Sequence, residues 1–230
     1  MPLISFPRNE ITFKIVYDGP PGSGKTASVE QLATHSDAPD TVRYAMVRRF
    51  GDRPWPYDFV ALEPHAMPGF RLHFHVFSAP GEDAYASARE LLLRGVEAVV
   101  FVADSRWQAV QANVEAFRRT LEALAKQGRD VGLLPIVVQL NKRDCEDAAP
   151  VSCLEALFAR ACPTVETVES VATEGRGVFE AFNSASSHLL SSLIQPTRGG
   201  RLAGADAVSD FLRQSLCVLQ RAPLAVDQAA

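Results

Sequence analysis

The segment Gly19-Pro20-Pro21-Gly22-Ser23-Gly24-Lys25-Thr26 fits G-x-x-x-x-G-K-[ST] at every fixed position. It follows Ile11–Tyr17, a β-branched and aromatic run that reads as a strand, and precedes a stretch that reads as a helix from about Lys25. A strand that turns through glycines into a helix aims a set of backbone N–H groups and the positive helix end at one spot, which makes a cradle for phosphate. In such a cradle Lys25 spans the β- and γ-phosphates and the Thr26 hydroxyl ligates Mg2+.

The rest of the chain alternates. Val42–Arg48, Phe70–Ala79, Val96–Ala103, Leu134–Leu140 and Thr164–Val171 read as strands. Between and after them, Asp83–Arg94, Trp107–Gln127, Val151–Arg160 and Gly177–Leu193 read as helices, with Val110, Val114, Phe117, Leu121 and Leu124 along one side of the second. The order predicts an α/β fold: a three-layer α/β/α P-loop architecture on a mostly parallel sheet of six or seven strands. Residues 1–195 form that domain. From Pro196 to Gly204 the composition shifts to a connector, after which Val208, Phe211, Leu212, Leu216 and Leu219 recur at helical spacing and Arg221–Ala230 reads as a flexible tail. The helical extension within residues 196–230 either packs back on the domain or serves a partner.

Phosphate cradles serve adenine and guanine nucleotides alike, so the base must be chosen elsewhere. Asn141-Lys142-Arg143-Asp144 follows the apolar run Ile136–Leu140, where a loop at a strand's carboxyl end meets ligand. The Asp144 carboxylate can accept from both guanine N1–H and the exocyclic amine, which adenine cannot match. Asn141 can donate to guanine N7 and brace the loop, while the Lys142 stem covers the base. Val171-Ala172-Thr173 lies where a backbone N–H for guanine O6 belongs; a plain turn between strand and helix is the other reading.

Twenty-three Lys and Arg against twenty-seven Asp and Glu give a net charge of −4. No basic field points to nucleic acid, and no apolar run is long enough for direct membrane insertion. Cys145, Cys153, Cys162 and Cys217 lack the C-x-x-C spacing of a metal or redox motif, so a reduced, cytoplasmic chain is expected. His73 and His75 share a strand face without an evident third ligand. Trp55, Tyr57 and Phe59 alternate on one segment, as a partner surface or as residues docked on the sheet edge.

Beyond these motifs the chain resembles Ras-like small GTPases, and most closely bacterial gliding-motility and cell-polarity GTPases of the MglA type. The resemblance spans roughly residues 3–194 and is carried by Arg8-Asn9-Glu10-Ile11, Lys14-Ile15-Val16-Tyr17, Tyr57-Asp58-Phe59, Pro80-Gly81, Val99–Ser105, Ala112–Ala116 and Asn141–Asp144. It implies a GTP/GDP switch that hydrolyses GTP with Mg2+, acts in polarity, motility or intracellular localisation, and is recruited to a pole or membrane complex through partners. Among those partners it implies a roadblock-type homodimeric regulator (MglB-like) and polarity or motility effectors. Switch I then covers about 38–59 and switch II about 80–94. The resemblance adds Ala27 and Gly81 to the nucleotide contacts, Asp58 to the Mg2+ contacts, and Arg53 and Glu82 to Lys25 as catalytic groups.

The catalytic shell departs from that pattern. Pro54 stands at the switch-I threonine, Pro21 at a glycine near the γ-phosphate, Ser78 at the DxxG aspartate, and Glu82 at the water-positioning glutamine. A carboxylate accepts from water but cannot donate as an amide does, and it adds negative charge beside a polyphosphate. Slow hydrolysis is the expectation. The alternatives are a nucleotide-binding scaffold with negligible turnover, or a P-loop kinase or ATPase in which Asp144 is structural.

Overall fold

The computed structural model describes residues 3–5, 7–34, 42–44, 58–62 and 71–194, giving the backbone alone for 42–44, 58–62 and 191–194. Its strands are β1 (Leu3–Ser5), β2 (Glu10–Asp18), β3 (Val42–Tyr44), β4 (Asp58–Leu62), β5 (Arg71–Ser78), β6 (Ala98–Asp104), β7 (Ile136–Asn141) and β8 (Glu166–Glu169). Its helices are α1 (Lys25–Thr34), α2 (Ala86–Leu93), α3 (Val110–Lys126), α4 (Val151–Ala161) and α5 (Val178–Ile194). Single 3₁₀ turns at Asp83–Tyr85 and Trp107–Ala109 lead into α2 and α3.

The strands form one sheet in the order β3-β4-β5-β2-β6-β7-β8, with β1 pairing antiparallel to the start of β2. From β5 to β8 the neighbours are parallel, while β3 and β4 make an antiparallel edge. The chain leaves β2 toward β5 and then crosses back to β6 on its other side. A crevice therefore opens at the carboxyl ends of β2 and its two neighbours, where α/β sheets bind ligands.

Side-chain alternation on these strands makes two cores. Phe13, Ile15, Phe74, Val100 and Val102 pack under α1 and α5 with Leu32 and Phe182. Val16, Val99, Phe101, Val138 and Leu140 pack under α2, α3 and α4 with Leu93, Phe117 and Phe158. Every residue of β6 is buried, as a central parallel strand covered on both faces requires. Phe101, Phe117 and Phe158 close the second core as an aromatic trio, with ring centroids 4.9 to 5.8 Å apart.

Two features differ from the sequence expectation. The sheet has eight strands among the described residues, not six or seven. The additions are β1, a three-residue arm, and β4, of which only Asp58 and Phe59 fall in the expected switch I. The buried stripe of α3 is rotated: Val114 is 41% exposed, while Asn113, Ala116, Phe117, Thr120, Ala123 and Leu124 face inward. Two polar residues in that stripe disguised it, and both have buried partners. Of the expected strand Val42–Arg48, Val42–Tyr44 is a strand; residues 45–48, Arg53, Pro54, Trp55 and Tyr57, and the expected connector, final helix and tail after Ile194, lie outside the described residues.

His73 and His75 do sit on the half-exposed face of β5, in strict alternation with Leu72, Phe74 and Val76. Among the described residues no helix is long and apolar enough to cross a membrane.

Candidate functional site

The loop between β2 and α1 begins at a buried carboxylate. Asp18 closes β2 and accepts hydrogen bonds from the Gly19 N–H (2.8 Å) and from the Thr120 hydroxyl of α3 (2.7 Å). Burial pushes its carboxyl above the ordinary aspartate range, and the two hydrogen bonds together with the nearby Arg89 and Lys25 charges oppose that push. Lys25 opens α1 and folds back across the loop, its ammonium donating to the carbonyls of Gly19 (3.0 Å) and Pro20 (2.7 Å). Burial pushes the Lys25 ammonium down to about 8, against the pull of Asp18 and Glu82. A polyanion is the complementary ligand for an ammonium held at that disadvantage.

The interior of the loop is shaped for a guest of hydrogen-bond acceptors. Ser23 Oγ is fully buried and has no partner among the described residues. Thr26 is exposed at the first turn of α1, and Ala27 is partly buried against the core beneath it. Gly22 is exposed at the loop's crest. Gly24 adopts φ +108° with its missing Cβ directed at the Asn141 amide nitrogen, so no larger residue can stand there.

Asn141 is the junction of the site. Its amide nitrogen donates to the Ser23 carbonyl (2.7 Å), and its amide oxygen accepts from the Ala172 N–H (2.8 Å) and the Ser170 hydroxyl (3.2 Å). One side chain at the end of β7 thus ties the β2–α1 loop to the loop after β8, across sequence separations of 118 and 31 residues. The Val171 N–H is likewise committed, to the Arg176 carbonyl, and the Thr173 carbonyl accepts from Gln31 of α1.

Lys142 adopts φ +65°, a left-handed conformation that costs a non-glycine residue of order 1–3 kcal/mol. What holds it is Asp104 at the end of β6, whose carboxylate lies 2.8 Å from the Lys142 ammonium and is gripped by Arg106 at 2.7 Å. Burial alone raises the Asp104 carboxyl, but the Arg106 and Lys142 hydrogen bonds outweigh it and the group titrates below the ordinary range. Asn113 of α3 bonds both the N–H (3.0 Å) and the carbonyl (2.7 Å) of Asp104, fixing the strand end. Asp144 is exposed and accepts no hydrogen bond from any described residue, while Arg143 turns away to the Ala149 carbonyl and Glu169.

Across the crevice, Gly81 follows Pro80 in the turn after β5 and lies against Gly19–Pro21 of the first loop. Glu82 beside it is exposed. Asp58 begins β4 opposite Ser78 at the end of β5, so its backbone stands at the same edge of the sheet. The hydroxyl of Thr26 and a carboxylate at position 58 are hard oxygen donors, the set that suits Mg2+.

Sequence reasoning missed Asp18, Arg89, Asp104, Asn113 and Thr120. Each is a polar or charged residue inside an apolar stripe, and only Asn113 and Thr120, seven positions apart on one helix, carried a signal of sharing a face.

No family model matches the chain. Compared with known proteins, it is 34% identical over 194 residues to the mutual gliding-motility protein MglA of Myxococcus xanthus (strain DK1622). That match covers 84% of this chain and 98% of that protein. The chain belongs to the MglA family of Ras-like small GTPases. Because the match takes in nearly the whole of the Myxococcus protein, membership rests on the full length of an MglA relative and not on a shared phosphate-loop motif alone.

Proposed function

We propose that this MglA-family chain is a Mg2+-dependent GTP/GDP switch with slow hydrolysis, built on a G domain in residues 1–195 and extended by residues 196–230. The observation that carries the reading is the Asn141 junction, which binds the Gly19–Thr26 loop, the Asn141–Asp144 loop and the Val171–Thr173 loop into one rigid unit. Those three loops have the residue types that hold the phosphates, the purine edge and the guanine carbonyl of one nucleotide.

In this reading the backbone of Gly19, Gly22, Ser23, Gly24, Lys25, Thr26 and Ala27 cradles the phosphates, and the Lys25 ammonium leaves its loop carbonyls for phosphate oxygens. Thr26 and Asp58 would hold Mg2+, which would supply positive charge to the polyphosphate. Asp144, exposed and accepting no hydrogen bond from a described residue, accepts from the guanine N1–H and amine; the Lys142 stem, pinned by Asp104, covers the base. Arg53 supplies positive charge to the transferring phosphoryl group. Glu82 stands where water must be oriented, and its carboxylate adds repulsion there.

Like its Myxococcus relative by name, the chain acts in gliding motility, or else in cell polarity or intracellular localisation. It is cytoplasmic, meets a roadblock-type homodimer and motility effectors, and reaches a pole or membrane complex through them.

The test is equilibrium binding of GDP, GTP and ATP in magnesium buffer, followed by single-turnover phosphate release from the wild type and Glu82→Gln. Guanine nucleotides bind at least about 100-fold tighter than ATP, as the pair of hydrogen bonds to a charged Asp144 predicts. Phosphate release is slow in the wild type and faster in Glu82→Gln. Tight binding with no release from either protein supports the scaffold reading; failure to bind any guanine nucleotide ends both.

A further inference from the structure

Beneath the phosphate loop lies a buried charge that the reading above does not use. Arg89, on α2, is 7% exposed, and its guanidinium Nη1 donates to two successive carbonyls, Pro80 O at 3.3 Å and Gly81 O at 3.2 Å. These carbonyls belong to the turn that carries Gly81 and Glu82. On its other side the same turn is seated on the first loop: a Cβ at position 81 would stand 2.5 Å from Pro21 N and 2.9 Å from Gly19 O, so only glycine lets the two backbones touch.

A trans peptide is planar and points its C=O and its N–H in opposite directions. Pinning the carbonyls of residues 80 and 81 on Arg89 therefore fixes the N–H groups of Gly81 and Glu82 on the side away from α2, at the rim of the phosphate loop. The guanidinium is planar and permanently charged, and its Nη1 reaches both carbonyls from α2. Arg89 is not an isolated buried cation. Asp18, at the foot of the loop, feels its charge and is itself braced by Thr120 of α3. Two buried cations, Lys25 and Arg89, thus stand near the buried Asp18 carboxylate at the foot of the loop, with the exposed Glu82 as a second carboxylate facing Lys25.

We propose that Arg89 is a positioning residue that discriminates the nucleoside triphosphate from the diphosphate, by holding the Gly81 and Glu82 N–H groups where a third phosphate meets them. The proposal rests on the nucleotide-binding reading and goes beyond it. On the nucleotide-binding reading, a diphosphate is held by the loop and the base contacts, to which Arg89 makes no hydrogen bond, and the third phosphate is the one left to meet this turn.

The test measures dissociation constants of GDP and of a non-hydrolysable GTP analogue for the wild type, Arg89→Lys and Arg89→Gln. Wild-type binding of GDP tests the underlying reading by itself. In both variants GDP affinity stays within about threefold of wild type while the analogue weakens roughly tenfold, the scale of one hydrogen bond to a charged group. An unchanged ratio, or an equal loss for both nucleotides, overturns the proposal, the second because it marks Arg89 as merely structural. Amide hydrogen exchange on the wild type gives a readout independent of variant folding. The Gly81 and Glu82 amides become protected with the analogue and not with GDP; equal protection, or none, overturns the assignment.

Discussion

Around Asn141, polar groups are matched to one another. The amide oxygen meets Ala172 and Ser170, the amide nitrogen meets Ser23, and Lys142 is locked to Asp104. Some residues away at the same sheet edge, Lys25 and Arg89 stand near the buried Asp18, Ser23 Oγ lacks a partner among the described residues, and the Lys25 ammonium is pushed down to about 8 by burial. At the first corner the Asn141 amide and the Lys142 ammonium are satisfied by the protein, while Ser105 Oγ and Gln139 Oε1 beside them lack partners among the described residues; at the second the cations themselves are held at a cost. A base is a neutral, flat ligand recognised by geometry, so its pocket gains from being rigid before binding. A polyphosphate brings several negative charges, so its cradle can hold cations at a cost that binding then offsets.

The sharpest way to break this contrast is Lys25→Ala. It removes the cation from the corner that depends on ligand charge, and affinity for GDP falls by about 100-fold or more in equilibrium titration, on the scale of a buried charge-assisted contact. The free protein's melting temperature holds or rises, because a buried ammonium is gone; a large drop would mean that Lys25 is structural instead. Asp144→Ala removes a carboxylate that touches no described residue. Its melting temperature is unchanged, while the preference for GTP over ATP shrinks by roughly 10- to 100-fold, the equivalent of one or two hydrogen bonds to a charged group.

Asn141→Ala strikes the first corner and behaves oppositely to Lys25→Ala. It strands the Ser23 carbonyl and the Ala172 N–H in the interior, costing about 2–4 kcal/mol of stability. Thermal unfolding of the protein without nucleotide then falls by roughly 5–10 °C. Asp104→Asn gives the smallest change and adds a pH signature. The Asp104 carboxyl titrates below its unfolded value of 3.8, so its stabilisation is fully present above that value and is lost as pH falls through the lower folded one. The variant therefore melts a few degrees below wild type at neutral pH, and the gap closes in acid; a gap that persisted below the folded value would rule out the charge as its source.

Much of this layout was legible beforehand for a definite reason. The Gly19–Thr26 loop and the Ile136–Leu140 strand are local patterns: glycine spacing sets backbone conformation, and an uninterrupted apolar run fixes a buried parallel strand. The strands β1 and β4 were not legible, because three and five residues give too short a pattern to separate a strand from a loop. The α3 stripe was misread for another reason. Asn113 and Thr120 look like surface residues until the chain folds and brings them to Asp104 and Asp18, whose hydrogen bonds make their burial tolerable.

Glycine and lysine spacing, apolar periodicity and the order of strands and helices were determined within the chain's own neighbourhoods of a few residues, and they set the α/β layers and nominated the motif loops. Which of those loops meet, and what lies beneath them, was decided only by tertiary structure. The Asn141 link to Ser23, the Asp104 grip on Lys142 and the Arg89 hold on Pro80 and Gly81 each join distinct loops or elements through a single side chain. A periodicity of two or 3.6 residues cannot encode such a pairing, because its energy exists only after the sheet has brought both partners out of water to the same edge.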